Sequence, residues 1–141
     1  MSEVSLKAEE ILKIHVRCTP GLEVGASRDG FLCVIPIEGG HFEGKISGRV
    51  VSGGADWNTR KSRGAHVFAK YLLQTDDGEY IAIENTGVIA GDAEDVKIKT
   101  VPSFTAREEG PCAWLNYGVY VGSLAAGKEE GQIEITIYQM K

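Results

Sequence analysis

The chain has 141 residues, of which 43% are apolar and 25% are charged, and this composition is that of a single soluble globular domain spanning residues 1–141. The formal net charge is −5 with acids and bases mixed along the chain, which excludes the basic stripe of a nucleic-acid-binding protein. No apolar run approaches the ~20 residues that a membrane-spanning helix needs, so we expect no membrane partner.

The opening segment and the cysteines predict a cytoplasmic protein. MSEVSLKAEE is charged and lacks the apolar core of an export signal. Cys18, Cys33 and Cys112 are odd in number and form no CxxC pair, which indicates neither a disulfide framework nor a structural zinc site. We interpret them as small apolar side chains in a reducing compartment, with a nucleophilic Cys112 as the alternative.

Apolar residues alternate with polar ones along most of the chain, and this period of two predicts strands rather than helices. In chain order the predicted strands are ILKIHVRC (11–18), FLCVIPI (31–37), HFEGKISGRV (41–50), HVFAKYLLQT (66–75), EYIAIENTG (79–87), DVKIKTVPSF (95–104), AWLNYGVYVGS (113–123) and GQIEITIYQM (131–140). Asp76, Asp77 and Gly78 predict a hairpin turn between the fourth and fifth strands. About eight short, evenly spaced strands favour an all-β fold, either an antiparallel barrel or a sandwich.

The seventh predicted strand carries large side chains on both faces. Trp114, Asn116 and Tyr120 would share one face, and the opposite face would be largely apolar as well. A strand with one face in water would be polar on that face. The pattern therefore favours a hollow barrel with an aromatic-lined interior and a second buried contact outside, which predicts a homodimer.

The stretch VSGGADWNTRKSRGAH (51–66) places two glycines before an acid and a tryptophan. Glycine adopts positive φ and lets backbones approach closely, so it marks sharp bends. We expect Gly53 and Gly54 to turn the chain at the rim of the barrel and to aim Asp56 and Trp57 into its cavity.

Three motifs follow one another along the chain: GGHFEGKISGRVVSGGADW (39–57), YLLQTDDGEYIAIENTGV (71–88) and FTAREEGPCAWLNYGVYVG (104–122), with GQIEITIY (131–138) closing the sequence. Together they resemble the DUF3237 family, also called UPF0311, from about residue 36 to the C-terminus. The resemblance implies a closed antiparallel β-barrel, lipocalin-like in outline, with no metal or organic cofactor. The biochemical role of the family is unassigned, so the resemblance implies a fold more than a function.

The chain departs from the family pattern at two positions. Phe68 stands where many members carry an acid, and Phe104-Thr105 stands where many carry Phe-Glu. If either acid is catalytic in other members, this chain lacks it and has a different pocket.

Three residues are the candidates for proton transfer. Asp56, as an interior carboxylate with a pKa raised by burial, could be a general acid or base; the alternative is an Asp that fixes the loop. His66 opens the strand after the Asp56 loop and could move a proton near neutral pH. Tyr71 could serve as an acid–base group or as an oxyanion donor.

Four further residues are the candidates for binding a ligand. Trp57 and Trp114 could form an aromatic wall, or they could fill the barrel as plugs. Asn116 could bond a ligand carbonyl or hydroxyl, or a polar group on a neighbouring strand. Glu84 could face the interior, but a one-residue change of register would turn it outward.

The remaining histidines do not indicate a metal site. His15 alternates with Lys13 and Arg17 and is interpreted as solvated, and His41 follows a glycine at the exit of a turn. Neither they nor His66 have the spacing of zinc ligands, so no metal is expected.

These observations lead to two classes of function and one weaker alternative. The first is a cofactor-free enzyme that carries out isomerisation, cyclisation or elimination on a small apolar or aromatic metabolite. The second is a carrier that binds such a metabolite without changing it. The weaker alternative is a structural barrel with a filled interior.

Overall fold

The computed structural model describes residues 1–91 and 95–141, which form ten strands and one short 3₁₀ helix. The strands are β1 (Ala8–Cys18), β2 (Leu22–Ser27), β3 (Gly30–Gly44), β4 (Gly48–Val50), β5 (Ala55–Lys61), β6 (Gly64–Thr75), β7 (Tyr80–Ala90), β8 (Ile98–Thr105), β9 (Tyr120–Ala126) and β10 (Gln132–Met140). The 3₁₀ helix spans Ala113–Tyr117. Among the described residues, no helix has the length and apolar content needed to cross a membrane.

The sheet closes on itself because β1 pairs with β10 along one edge and with β3 along the other. Two positions around the barrel are each filled by two strands placed end to end. β2 continues β1 along the edge of β3, and β4 and β5 together fill the gap between β3 and β6. The result is a closed antiparallel barrel with eight strand positions, which confirms the predicted fold class.

The predicted hairpin turn is present where the sequence places it. The turn at residues 76–78 joins β6 to β7, and the N–H of Gly78 donates to the carbonyl of Thr75 at 2.9 Å. Gly78 has φ +94°, a conformation that favours glycine. The Ser47 hydroxyl donates to Asp76 at 2.5 Å and ties this turn to the one before β4.

The predicted seventh strand is wrong over its first half. Ala113–Tyr117 forms the 3₁₀ helix, and the strand begins only at Tyr120. Trp114, Asn116 and Tyr120 therefore do not share a strand face. Over only five residues, a strand with large side chains on both faces has the same pattern of large residues as a 3₁₀ turn. The hydrophobic period alone could therefore not distinguish the strand from the helix.

The interior is filled at one end of the barrel. Buried apolar side chains pack together there, from the first half of β1 and from the halves of the other strands that lie at the same end of the barrel. They include Leu12, Phe42, Leu73, Ile81, Ile83, Phe104, Leu115, Tyr120 and Ile137. Phe104 and Tyr120 pack edge to face with ring centroids 5.0 Å apart. Each large apolar side chain buried here stabilises the fold by roughly 1.5–3 kcal/mol, so this end anchors the barrel.

Candidate functional site

The opposite end of the barrel holds a cavity of about 460 Å³. Its wall is formed mainly by aliphatic side chains from six strands. They include Val16, Ile35, Ile37, Val67, Ala69, Ile89, Leu124, Ala126, Ile133 and Ile135. A few polar side chains interrupt this wall: Cys18, Thr19, Asp56, Asn58, Tyr71, Asn85, Lys99 and Thr100. A mostly apolar cavity with a few placed polar groups is typical of small-molecule sites.

Asp56 is the carboxylate of the cavity. It lies on β5, and its Oδ1 accepts a hydrogen bond from the backbone N–H of Phe68 on β6 at 3.1 Å. Burial raises the pKa of the Asp56 carboxyl, and the Phe68 N–H and the nearby His66 oppose part of that rise. A carboxyl with a raised pKa can both donate and accept a proton closer to neutral pH.

Three other polar side chains in the cavity wall are almost fully buried. Tyr71, Asn85 and Thr100 are 4%, 3% and 2% exposed. The Tyr71 hydroxyl, the Asn85 side-chain oxygen and the Thr100 hydroxyl have no hydrogen-bond partner among the described residues. Because most buried polar side-chain atoms in folded proteins are hydrogen-bonded, three orphans in one cavity point to groups kept for a ligand.

Burial keeps the Tyr71 hydroxyl protonated. Burial raises its pKa most, and the neighbouring Cys18 and Asp56 raise it further. Tyr71 is therefore a hydrogen-bond donor throughout the neutral range. Burial, together with Asp56, also raises the pKa of the Cys18 thiol, so this cysteine is a neutral part of the wall rather than a thiolate nucleophile.

The two glycines before Asp56 are needed for different structural reasons. Gly53 has φ +116° and open space around its Cα, so it supplies a backbone conformation. Gly54 has no such φ, but a Cβ there would overlap the Lys70 carbonyl and the Cβ of Tyr71. Gly54 therefore permits the close approach that sets Tyr71 beside β5, and Gly53 makes the bend.

The sequence did not reveal Asn85, Thr100 or the strand that carries Asp56. β5 was predicted as a bend and loop, because the inward residues Asp56 and Asn58 are polar and break the apolar alternation. Asn85 lies in a predicted strand whose other inward residues are apolar. An asparagine on such a face was the signal that could have identified it. Thr100 carried no signal, since threonine is common on either face of a strand.

Three candidate residues lie outside the barrel, which corrects the expectation that they face the cavity. Trp57 is 51% exposed because it alternates with the inward Asp56. His66 is exposed and pairs across the strands with Thr59, another outward residue. Glu84 forms an ion pair with Lys70 at 3.1 Å on the outer surface.

The two candidates on the 3₁₀ helix also lie away from the cavity. The Asn116 side chain bonds both backbone groups of Ala106, accepting from its N–H at 2.7 Å and donating to its carbonyl at 2.8 Å. Trp114 packs against the core at the filled end, with the Lys45 ammonium 5.7 Å from its ring centroid. Asn116 thus fastens the helix to Ala106, the residue after β8, and Trp114 is one of the plugs that the sequence allowed.

A row of outward side chains crosses six neighbouring strands on the outer surface. Successive cross-strand partners in this outer row are Leu22, Val34, Trp57, Phe68, Thr86 and Val101. Five of the six are apolar, and Leu22 and Val101 are each 62% exposed. Single exposed apolar residues are ordinary, but a contiguous row of them is typical of an interaction surface.

Comparison with known proteins identifies relatives whose roles are unassigned. A UPF0311 protein of Bradyrhizobium diazoefficiens is 28% identical over 151 aligned positions, which cover 96% of this chain and 97% of the relative. A β-barrel-like protein of Acinetobacter baumannii AYE, solved by crystallography, is 32% identical with a TM-score of 0.85 over 99% of both chains.

An enzyme from Penicillium herquei has the same fold at 22% identity, with a TM-score of 0.78 over 100% of this chain and 99% of that one. The family model for proteins of unknown function DUF3237 matches residues 6–140. The chain therefore belongs to the DUF3237 family, as its three motifs indicated.

Proposed function

We propose that this protein is a cofactor-free enzyme that moves a proton within a small, largely apolar metabolite bound in the barrel cavity. The observation that supports this most is the set of three orphaned polar atoms, on Tyr71, Asn85 and Thr100, in the same apolar cavity as the Asp56 carboxyl. An apolar wall binds the body of the metabolite, and the polar atoms bind an oxygen function on it.

Asp56 is the proton-transfer group in this proposal. Its carboxyl faces the cavity and has a pKa raised by burial, which brings its proton affinity nearer to that of a weakly acidic substrate. The bond from the Phe68 N–H holds Oδ1, so the other carboxyl oxygen is the one that meets the substrate. Isomerisation and cyclisation need such a group to take a proton and return it elsewhere on the metabolite. Elimination needs it to take a proton and pass it to the departing group.

Tyr71 stabilises the negative charge that develops when the proton leaves. Its hydroxyl is protonated, buried and without a hydrogen-bond partner among the described residues, so it can donate to an enolate-like oxygen in a site of low dielectric. The Thr100 hydroxyl can donate to the same or a second oxygen. The Asn85 oxygen can only accept, so it suits a hydroxyl group of the metabolite.

The cavity wall sets the class of metabolite. A volume of about 460 Å³ lies within the range of small-molecule sites, and its walls are mostly aliphatic. The tryptophans that the sequence suggested as an aromatic wall lie elsewhere, so a compact apolar body with one or two oxygens fits better than a ligand that requires ring stacking.

A carrier that binds the same metabolite without changing it is the second candidate, because the orphaned atoms serve binding as well as catalysis. The cavity itself argues against a barrel with a filled interior. The enzyme from Penicillium herquei supports catalysis only in that this fold occurs in an enzyme.

The first experiment is native mass spectrometry of the protein purified from its own host, followed by denaturation and identification of any released small molecule. With that molecule as substrate, Asp56→Asn separates the two candidates. An enzyme loses most of its turnover and keeps its ligand affinity within a few-fold, whereas a carrier shows no turnover in either form.

Glu84→Gln is the matched control, because it removes a carboxylate from the outer surface of the same barrel. It should leave turnover and affinity unchanged. Equal loss of turnover in Asp56→Asn and Glu84→Gln would contradict a proton-transfer role for the cavity carboxyl.

A further inference from the structure

Two histidines that are distant in sequence meet on the outside of the barrel. His15 of β1 and His41 of β3 are cross-strand partners, and their rings stack with centroids 4.4 Å apart. Glu43 lies two residues beyond His41, so it points to the same face of the sheet. Glu134 of β10 is the cross-strand partner of His15 on its other side.

The two carboxylates hold the His15 ring from opposite sides. Nε2 lies 3.2 Å from Oε1 of Glu43, and Nδ1 lies 3.2 Å from Oε1 of Glu134. A neutral imidazole has one N–H, so it can donate to only one of these oxygens. In that form the other contact sets a nitrogen lone pair against a carboxylate oxygen. A proton on that nitrogen, or a metal ion bound by both atoms, satisfies this pair.

From this geometry we propose a binding site for a divalent transition-metal ion such as Zn²⁺, formed by His15 Nε2, His41 and Glu43. The ligand atoms of these three residues all lie within 4.8 Å of one another. Tetrahedral zinc with bonds of about 2.0 Å needs its ligand atoms about 3.3 Å apart. The His15–Glu43 pair already has that separation, and His41 reaches it by rotation of an exposed side chain.

Glu134 is the positioning residue of the site. Histidine ligands commonly donate their second ring N–H to a carboxylate, which fixes the tautomer and the ring orientation. Glu134 is placed to accept that hydrogen bond from Nδ1, which leaves the Nε2 lone pair free for the metal.

Three protein ligands leave the fourth position of a tetrahedral ion open. The three ligands line a surface depression of about 380 Å³ that also includes Arg17 and Lys128. Arg17 is already paired with Glu38 at 3.6 Å, so Lys128 is the cation that would favour an anionic fourth ligand. The site is on the outer face of β1 and β3, so it is separate from the barrel cavity and independent of the proposed proton transfer.

The test is titration of the full-length protein with Zn²⁺ at neutral pH, followed by calorimetry. One saturable equivalent should bind to the wild type. His41→Ala and Glu43→Gln should each weaken binding by about tenfold or more, and Glu134→Gln should weaken it by about tenfold through the orientation of His15.

His66→Ala is the matched control, because His66 is also an exposed histidine on the outer face of a strand. It lies eight residues along β6 from Gln74, which is in the cross-strand row of His41 through Arg49, so it is remote from the site. It should bind Zn²⁺ as the wild type does. Co²⁺ bound at the site should give no thiolate charge-transfer absorption, which distinguishes it from binding to a cysteine. No saturable binding by the wild type, equal binding by His41→Ala and His66→Ala, or a thiolate band would each overturn the proposal.

Discussion

At the scale of single residues, the ring and the hydroxyl of Tyr71 have opposite effects on stability. Its ring is part of the buried core, yet its hydroxyl has no partner among the described side chains and backbone groups. A buried polar group without a partner costs about 1–3 kcal/mol of desolvation. The hydroxyl therefore lowers the stability of the ligand-free protein, and a role in binding accounts for its presence.

Tyr71→Phe tests that account because it removes only the hydroxyl. We expect the free energy of unfolding to stay unchanged or to rise by about 1 kcal/mol, while affinity for the copurified metabolite falls. Urea denaturation with fluorescence detection gives the first quantity, and calorimetry gives the second. A loss of stability above about 1 kcal/mol would mean that the hydroxyl has a stabilising partner after all.

Asp56 makes stability depend on pH in a defined direction. Its folded-state pKa is raised above the ordinary value of 3.8, so the folded protein holds this proton more tightly than the unfolded chain does. The contribution of Asp56 to stability therefore falls as pH rises from about the unfolded pKa to the folded one, and stays low above that window.

Asp56→Asn removes this titration and keeps an oxygen for the Phe68 N–H. We expect the variant to gain stability relative to the wild type as pH rises through the same window, with a constant difference above it. Denaturant unfolding of both proteins over a series of pH values measures the difference. A variant that instead loses stability relative to the wild type as pH rises would contradict the raised pKa of Asp56.

At the scale of strands, the alternation of apolar and polar residues predicted most of the barrel, and it failed where side chains serve the site. Strands such as β10, with Ile133, Ile135 and Ile137 inward, follow the rule for a sheet with one buried face. β5 breaks the rule because its inward residues are Asp56 and Asn58, whose polarity suits a ligand rather than a core.

Register was the other quantity that the sequence could not supply. The alternation alone places Asn85 on the apolar face of Ile81 and Ile83, whereas an inward Glu84 required a shift of one residue that the sequence could not exclude. For the same reason, the meeting of His15 with His41 was not predictable, since it depends on how β1 pairs with β3.

The two glycines before β5 give a prediction at this scale. Gly53→Ala should cost about 1 kcal/mol of stability, because it strains a positive φ in open space. Gly54→Ala should cost about 3 kcal/mol, because its Cβ collides with β6 and pushes Tyr71 from its place. Thermal or urea unfolding of the two variants measures both. A larger loss for Gly53→Ala would show that the contact between β5 and β6 is looser than described.

At the scale of the whole molecule, we propose that the expected homodimer forms through the outer row that includes Trp57. The original reason for expecting a dimer was the apolar face of the late strands, and part of that segment is the 3₁₀ helix instead. The outer row is a longer apolar surface, continuous over six strands.

Light scattering of two single variants distinguishes these surfaces. Trp57→Ser should convert a dimeric wild type to a monomer, because a half-exposed tryptophan is the largest apolar side chain in the row. Val119→Ser changes an exposed apolar residue before β9, outside the row, and should leave the dimer intact. The reverse result would place the interface on the late strands, and a monomeric wild type would exclude both.

The alternation within β5 has one more consequence. Trp57 points outward between Asp56 and Asn58, which point into the cavity, so consecutive peptide units carry the outer row and the cavity wall. In a dimer through that row, any restriction of Trp57 by the second copy also restricts Asp56, and a bound metabolite restricts Trp57 in return. Thermodynamic linkage makes this coupling reciprocal. The affinity for the metabolite would then vary with protein concentration, and a saturating metabolite would change the dimer dissociation constant by the corresponding factor.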